Sequence, residues 1–390
     1  MISVAEALDK IFALCSPLEL ETVPLRHAHG RVLAEDAVAK RDQPPFASSA
    51  MDGYGVLDLD VPVGAQFTVV GESAAGHGFD GTLSKGCAIR IFTGAPVPEG
   101  VTRVIIQEDV TREGDVITVT ETLSENTNIR PLGGDFRVGD RVTAPRRLSA
   151  QDVALLAAMN IPEVRVSRRP VVALIATGDE LVMPGETPGP SQIIASNSFG
   201  LAAMIEEAGG IARMLPIAPD NETALRATFE LAQGADAIVS IGGASVGDHD
   251  LVGKVAADMG LDRAFYKVAM RPGKPLMAGR LNGALMIGLP GNPVSSLVTA
   301  KLFLIPALCA MQGLPAAPAP HHKAPLLQDI SSNGPRAHYM RARLETGGIR
   351  PFERQDSSLM SILSSANVLL VRPPLDPARI CGEIVTYIAL

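Results

Sequence analysis

Several short strings in this 390-residue chain join glycine to acids or bases in a way that suits chemistry on an anion. Thr177-Gly178-Asp179-Glu180, Pro219-Asp220 and Gly242-Gly243-Ala244-Ser245-Val246-Gly247-Asp248-His249-Asp250 each follow an apolar run. Arg271-Pro272-Gly273-Lys274-Pro275 and Gly288-Leu289-Pro290-Gly291-Asn292-Pro293 sit at the ends of further extended segments. Glycine turns let a ligand approach the backbone, and N–H groups at helix starts attract anions. Carboxylates gathered at one place repel one another unless a cation binds among them. Hard divalent ions such as Mg2+ take oxygen ligands and bridge carboxylates to phosphate. Arg271 and Lys274 add positive charge opposite. The combination predicts a Mg2+-assisted site for a phosphorylated or oxyanionic ligand. Each string also has a plain structural reading as a helix N-cap, a tight strand-to-helix turn or a rigid Pro-Gly turn. The chemical reading gains because all of them fall on the same rim of the elements that carry them.

Those elements alternate. Beyond Pro170, strands are expected at 171–176, 212–217 and 235–241, with helices at 197–208, 222–232 and 248–259. Extended segments at 264–270 and 284–288 precede a long helix over 293–311. Strands alternating with helices predict a parallel, doubly wound sheet. Ligands of such sheets bind beyond the carboxyl ends of the strands, where the strings above lie.

Upstream, Val4, Leu8, Ile11 and Phe12 share one face of a helix over 2–14, and extended pieces follow at 22–40. Short β-branched runs at 67–70, 88–92, 104–107 and 116–119 are separated by Gly, Pro and Asp turns. A helix returns over 149–159, with Ser149 as its N-cap. A β module therefore interrupts a region made from 1–45 and 140–170. The module holds three unusual strings of its own: Ser48-Ser49-Ala50-Met51-Asp52-Gly53-Tyr54, Ile91-Phe92-Thr93-Gly94-Ala95-Pro96-Val97-Pro98 and Gly133-Gly134-Asp135. Hairpin turns would explain these equally well. Residues 314–320 read as a Pro/Ala linker, and the remainder as a small β domain.

Composition excludes several classes. Eleven Phe, four Tyr and no Trp leave little to stack bases on, and a net charge of −8 opposes a polyanion-binding surface, so no nucleic-acid partner is expected. Cys15, Cys87, Cys309 and Cys381 form no C-x-x-C pair, which implies neither a zinc site nor a disulfide framework. The N-terminus carries acids and does not resemble a signal peptide. The apolar stretch 302–311 is too short to span a bilayer and contains Pro306. A cytoplasmic protein with no membrane partner is expected. His249 reads either as an acid, base or ligand, or as a solvated residue in a first helical turn; His321-His322 reads as surface. No Ser/His/Asp order or reactive-Cys setting supports covalent nucleophilic catalysis.

The strings SAMDGYGV, RIFTGAPVPEG, IRPLGGD, ATGDEL, SIGGASVGDHD, RPGKP and GLPGNPVS occur in this order. As a set they resemble the molybdopterin molybdenumtransferase (MoeA) family, which includes the E domain of gephyrin. The resemblance spans nearly the whole chain and implies an α/β multidomain protein. Its parts would be a discontinuous α+β dimerisation region (1–45 with 140–170), an inserted β domain (46–139), a doubly wound molybdopterin-binding domain (171–312) and a C-terminal β-barrel (313–390). It implies that adenylylated molybdopterin and molybdate give molybdenum cofactor and AMP, with Mg2+ or a similar divalent cation, in a homodimer whose cleft lies between subunits. Contacts with a molybdopterin adenylyltransferase and with molybdoenzymes would follow.

Carried over by motif, the catalytic positions are Asp52, Thr93, Asp135, Glu180, Asp220 and Asp250, with Glu180, Asp220 and Asp250 also as metal ligands. Substrate and molybdate binding falls to Gly242, Gly243, Ser245, Gly247, Arg271, Lys274, Ser295, Arg341 and Ser358. The chain departs from the family pattern at Ala47-Ser48, Arg271, Ala244 and Gln355–Ser358. Arg271 replaces the usual Lys, which changes hydrogen-bond geometry and bears on the choice of oxyanion. The rival readings are a tungsten-inserting paralogue, an adenylyltransferase one step earlier, and a non-catalytic pterin-binding scaffold.

Overall fold

The computed structural model describes residues 1–242 and 251–390. Six strands form the central sheet: β1 (Val171–Ala176), β2 (Ile211–Met214), β3 (Ala237–Ile241), β4 (Asp262–Tyr266), β5 (Met277–Leu281) and β6 (Ala284–Leu289). Their spatial order is β2-β1-β3-β6-β5-β4. The first four in that order are mutually parallel, whereas β5 and β4 run antiparallel to their neighbours.

The all-parallel expectation therefore fails at one edge. The cause is the turn between β5 and β6, where Asn282 and Gly283 take φ of 49° and 88°. Two residues at positive φ make a tight hairpin, and such a short link can join only antiparallel strands. Strand β5 reads Met-Ala-Gly-Arg-Leu and has no β-branched residue, so composition hid it. The Asn-Gly pair was the signal that could have found it. The extended segment expected at 264–270 also divides: β4 closes the edge of this sheet, and Met270–Arg271 joins the C-terminal sheet.

Helices cover both faces. These are α1 (Asn197–Glu207), α2 (Glu222–Leu231), α3 (Leu251–Asp258), α4 (Pro293–Thr299) and α5 (Ile305–Met311). Successive residues of a strand point to opposite faces. Accordingly Val172 and Leu174 pack with Leu201, Ile205, Val298 and Leu308, while Ala173 and Ile175 pack with Leu225, Phe229, Val252 and Val255. A π turn at Ala300–Leu304 links α4 to α5 ahead of Pro306. The joined helix Pro293–Met311 is long and apolar enough to cross a membrane, longer than the expected 302–311 stretch. It is 72% buried within the protein, as a core helix is.

The N-terminal helix Val4–Leu14 is closed by a capping box between Ser3 and Glu6. Its Ala7, Leu8 and Ile11 enter the same core as α5, and Ile2 bridges Val268. Residues 4–14 thus pack on the α/β sheet rather than with 140–170 as expected. An amphipathic helix reveals which face it buries, not which surface receives it.

Strands Leu20–Pro24, Glu163–Ser167, Val32–Leu33 and Arg146–Arg147 form a separate sheet. It shares a core of Leu33, Leu156 and Val166 with helix Ala150–Ala158, which Ser149 caps. Between them, Gly53–Val56, Gln66–Ser73, Cys87–Ile91, Arg103–Ile106, Val110–Glu113 and Val116–Val119 make a six-stranded sheet around Tyr54, Phe67, Ile105 and Ile117. In the C-terminal region, Ala337–Glu345, Val368–Arg372, Ile384–Ala389 and His322–Pro325 pair in that order, with Gly348–Pro351 on the other side of Ala337–Glu345. A bridge between Leu326 and Ile349 brings the two ends of this sheet together.

Candidate active site

A cleft of about 670 Å3 opens beyond the carboxyl ends of β1, β3 and β6. That volume suits a small-molecule site. Thr177, Gly178 and Glu180 follow β1, Asp220 follows β2, Gly242 follows β3, and Pro290–Pro293 lead into α4. Pro275 of the basic turn, Ser358 of the C-terminal region and residues 193–198 also line it. The structure therefore brings Glu180, Asp220, Gly242 and Ser358 together.

Gly178 has φ of 143°, and a Cβ there would lie 2.4 Å from the Glu180 carboxylate. Only glycine lets Glu180 fold back over its own turn. Asp220 is placed by a different device. Main-chain bonds join Ala218 N–H to Ala176 O (2.9 Å) and Gly178 N–H to Ala218 O (3.2 Å). The ladder goes no further, because Gly178 O accepts the Leu181 N–H at 3.2 Å. The Asp220 N–H then donates to Asp179 Oδ1 at 3.0 Å. Asp179 was not among the expected site residues, because it reads as one letter of a turn until β2 is known to lie beside β1.

The Asp220 carboxyl sits above the ordinary range, first through burial and then through repulsion by Asp179 and Glu180. Its side chain nevertheless remains exposed to the cleft. Two oxygen-donor side chains that repel one another suit a hard divalent cation. Among the described residues no group of three or more His, Cys, Asp or Glu has metal-holding geometry. Asp250, the third expected metal ligand, lies outside the described residues, as do Gly243, Ser245, Gly247 and His249.

On the basic side, Arg271 and Lys274 are exposed on the turn that sends Pro275 to the cleft, but neither lines it. Gly273 takes φ of 102° there, where a Cβ would meet Thr299 at 2.3 Å. Arg271 pairs in register with His338. Burial, then Arg271 and three further arginines, push the His338 imidazole down to about 4, so it is neutral at physiological pH.

Arg341 is 1% exposed and does not reach the cleft. Its Nε donates to Gln355 Oε1 (3.2 Å) and its Nη1 to Asp356 O (2.7 Å). Asp356 Oδ1 accepts the Ser358 N–H (2.8 Å) and hydroxyl (2.6 Å). Arg341 thus holds the turn that presents Ser358. Ser295 is buried in α4 and absent from the lining, against expectation, because its helical position faces the core.

Asp52, Thr93 and Asp135 all belong to the 46–139 region, and none lines this cleft. Thr93 donates its N–H and its hydroxyl to Asp52 Oδ1. The Asp135 N–H donates to Gln43 O (2.9 Å), and its side chain is exposed.

Residues 2–160 match the family described as MoeA N-terminal region (domain I and II), and residues 323–390 match MoeA C-terminal region (domain IV). Residues 173–310 match “Probable molybdopterin binding domain”. A Haemophilus influenzae protein named molybdopterin molybdenumtransferase is 37% identical over 83% of this chain and 80% of its own. The chain belongs to the MoeA family. A Nostoc MoeA relative of the same printed name is 35% identical over 96% of this chain and 90% of its own. The crystal structure titled molybdopterin biosynthesis MoeA protein from Pyrococcus horikoshii OT3 superposes with a TM-score of 0.84, at 30% identity and full coverage of both chains. The chain thus has the multidomain α/β fold of MoeA proteins.

Proposed function

We propose that this chain is a molybdopterin molybdenumtransferase, inserting molybdate into adenylylated molybdopterin and releasing AMP. The observation that carries the reading is the two-sided cleft. Glu180 and Asp220 line it, while Ser358 and Pro275, next to the exposed cations Lys274 and Arg271, close it from the other side. Acids on one wall and bases beside the other suit a ligand that carries phosphate with a cation and also takes up an oxyanion.

Glu180 and Asp220 would hold Mg2+. The chemistry an ion held there would supply is neutralisation of the phosphate charge. Ser358, set by Asp356 and Arg341, lines the wall beside which Arg271 and Lys274 would attract the oxyanion. Catalysis then rests mainly on positioning and charge neutralisation.

Asp52, Thr93 and Asp135 do not line the cleft of their own chain, and two copies joined as a homodimer would let one chain's inserted domain face the other's cleft. The test is AMP release from adenylylated molybdopterin with Mg2+ and molybdate. No AMP would remove the reaction and leave a pterin-binding scaffold. Faster release with tungstate than with molybdate would make the chain a tungsten-inserting enzyme, the outcome to which Arg271 is relevant.

A further inference from the structure

We infer that Asp179 is a positioning residue, whose carboxylate ties the end of β1 to the segment after β2 and thereby aims Asp220 into the cleft. The inference rests on the reaction proposed above and adds a residue to its machinery.

The main-chain ladder between these segments cannot reach Asp220. It stops at Ala218, because Gly178 O, the next acceptor in register, takes the Leu181 N–H at 3.2 Å. Beyond Asp220 the chain is committed elsewhere. Asn221 accepts the Ala224 N–H at 2.8 Å as the N-cap of α2, and its own N–H turns back to Pro219 O at 2.7 Å. Pro219 and Asp220 therefore lie between a finished ladder and a starting helix, and of the two only Asp220 has an N–H to donate. Its N–H is claimed by a side chain, Asp179 Oδ1 at 3.0 Å.

Asp179 itself does not line the cleft, which leaves positioning rather than ligand contact as its role.

Asp179→Asn keeps an oxygen able to accept the bond, and Asp179→Ala removes it. With saturating substrates, Asp179→Ala should lower kcat by about ten- to a hundredfold, the size expected when a catalytic group is misplaced by an ångström, with KM little changed. Asp179→Asn should retain kcat within about fivefold of wild type. Amide hydrogen exchange supplies a readout independent of turnover. Exchange at Asp220 should quicken in Asp179→Ala and stay slow in Asp179→Asn, with the core of β1 protected in both. Turnover of Asp179→Ala within twofold of wild type overturns the inference. So does an Asp179→Asn variant that keeps the slow exchange but is as inactive as Asp179→Ala, which would assign the effect to charge. If the wild-type protein itself releases no AMP, the proposed reaction fails, and the exchange arm still decides whether the tie exists.

Discussion

Thr93 gives a single oxygen of Asp52 two hydrogen bonds, from its main-chain N–H at 2.7 Å and from its hydroxyl at 2.8 Å. The two donors, the N–H first, hold the Asp52 carboxyl below its ordinary range. Thr93→Val removes the hydroxyl and keeps the shape. Asp52 then titrates nearer the usual carboxylate value, so the acid limb of the pH–rate profile moves to higher pH. Turnover near neutral pH falls by about ten- to a hundredfold, the worth of one hydrogen bond to a charged group. An acid limb that stays in place would show that Thr93 does not tune Asp52.

If two copies share each site, Asp52→Ala and Glu180→Ala should complement. Each variant alone is expected to be inactive. A mixed dimer carries one site with both changes and one with neither. Random re-association makes about half the dimers mixed, each with one intact site of two, and so restores about a quarter of wild-type AMP release. No recovery after demonstrated subunit exchange would place all the acids in one chain.

Asp220→Asn should stabilise the metal-free protein at neutral pH. A carboxyl raised by folding binds protons more tightly in the folded state than in the unfolded one, so stability falls as pH rises through that window. The amide escapes this loss. Thermal unfolding should show a higher Tm for Asp220→Asn at pH 7 and no advantage at pH well below the ordinary carboxylate value. Mg2+ should raise the wild-type Tm and leave the variant's nearly unmoved. A variant less stable at pH 7 would contradict the crowding of acids in the cleft.

In the C-terminal region Asp376 bonds Arg372 and Arg379, and Asp376 and Arg372 are 7% and 3% exposed. Burial pushes the Asp376 carboxyl up, but the bonds from Arg379 and Arg372 outweigh it and the net displacement is downward. Asp376→Ala strands a buried guanidinium and should cost about 3–5 kcal/mol, read as a lower urea midpoint of the C-terminal transition. The pair's contribution is complete above the ordinary carboxylate pKa and is lost as pH falls through the depressed one. A midpoint unchanged at pH 7 would remove the ion pair from the stability of this region.

Much of the protein was legible from neighbours in the chain. Ser3 and Ser149 cap their helices as short-range spacing allows. The apolar run at Val171–Ala176 forms a buried strand, and Glu180, Asp220 and Gly242, just after β1, β2 and β3, converge at one rim because parallel strands end on the same side. These features depend on periodicity and on residues a few positions apart, so the sequence alone determined them. Tertiary structure decided which distant segments meet. Val4–Leu14 is amphipathic wherever it packs, and the fold gave it the α/β sheet. Arg341 is a cation in sequence, and its neighbours at Gln355 and Asp356 made it a support for Ser358 instead of a cleft residue. The Asp179 tie to Asp220 spans 41 positions and exists only because β2 lies beside β1. Local chemistry is written by adjacency along the chain, whereas a long-range hydrogen bond forms only after the closure of the intervening chain has brought its partners together.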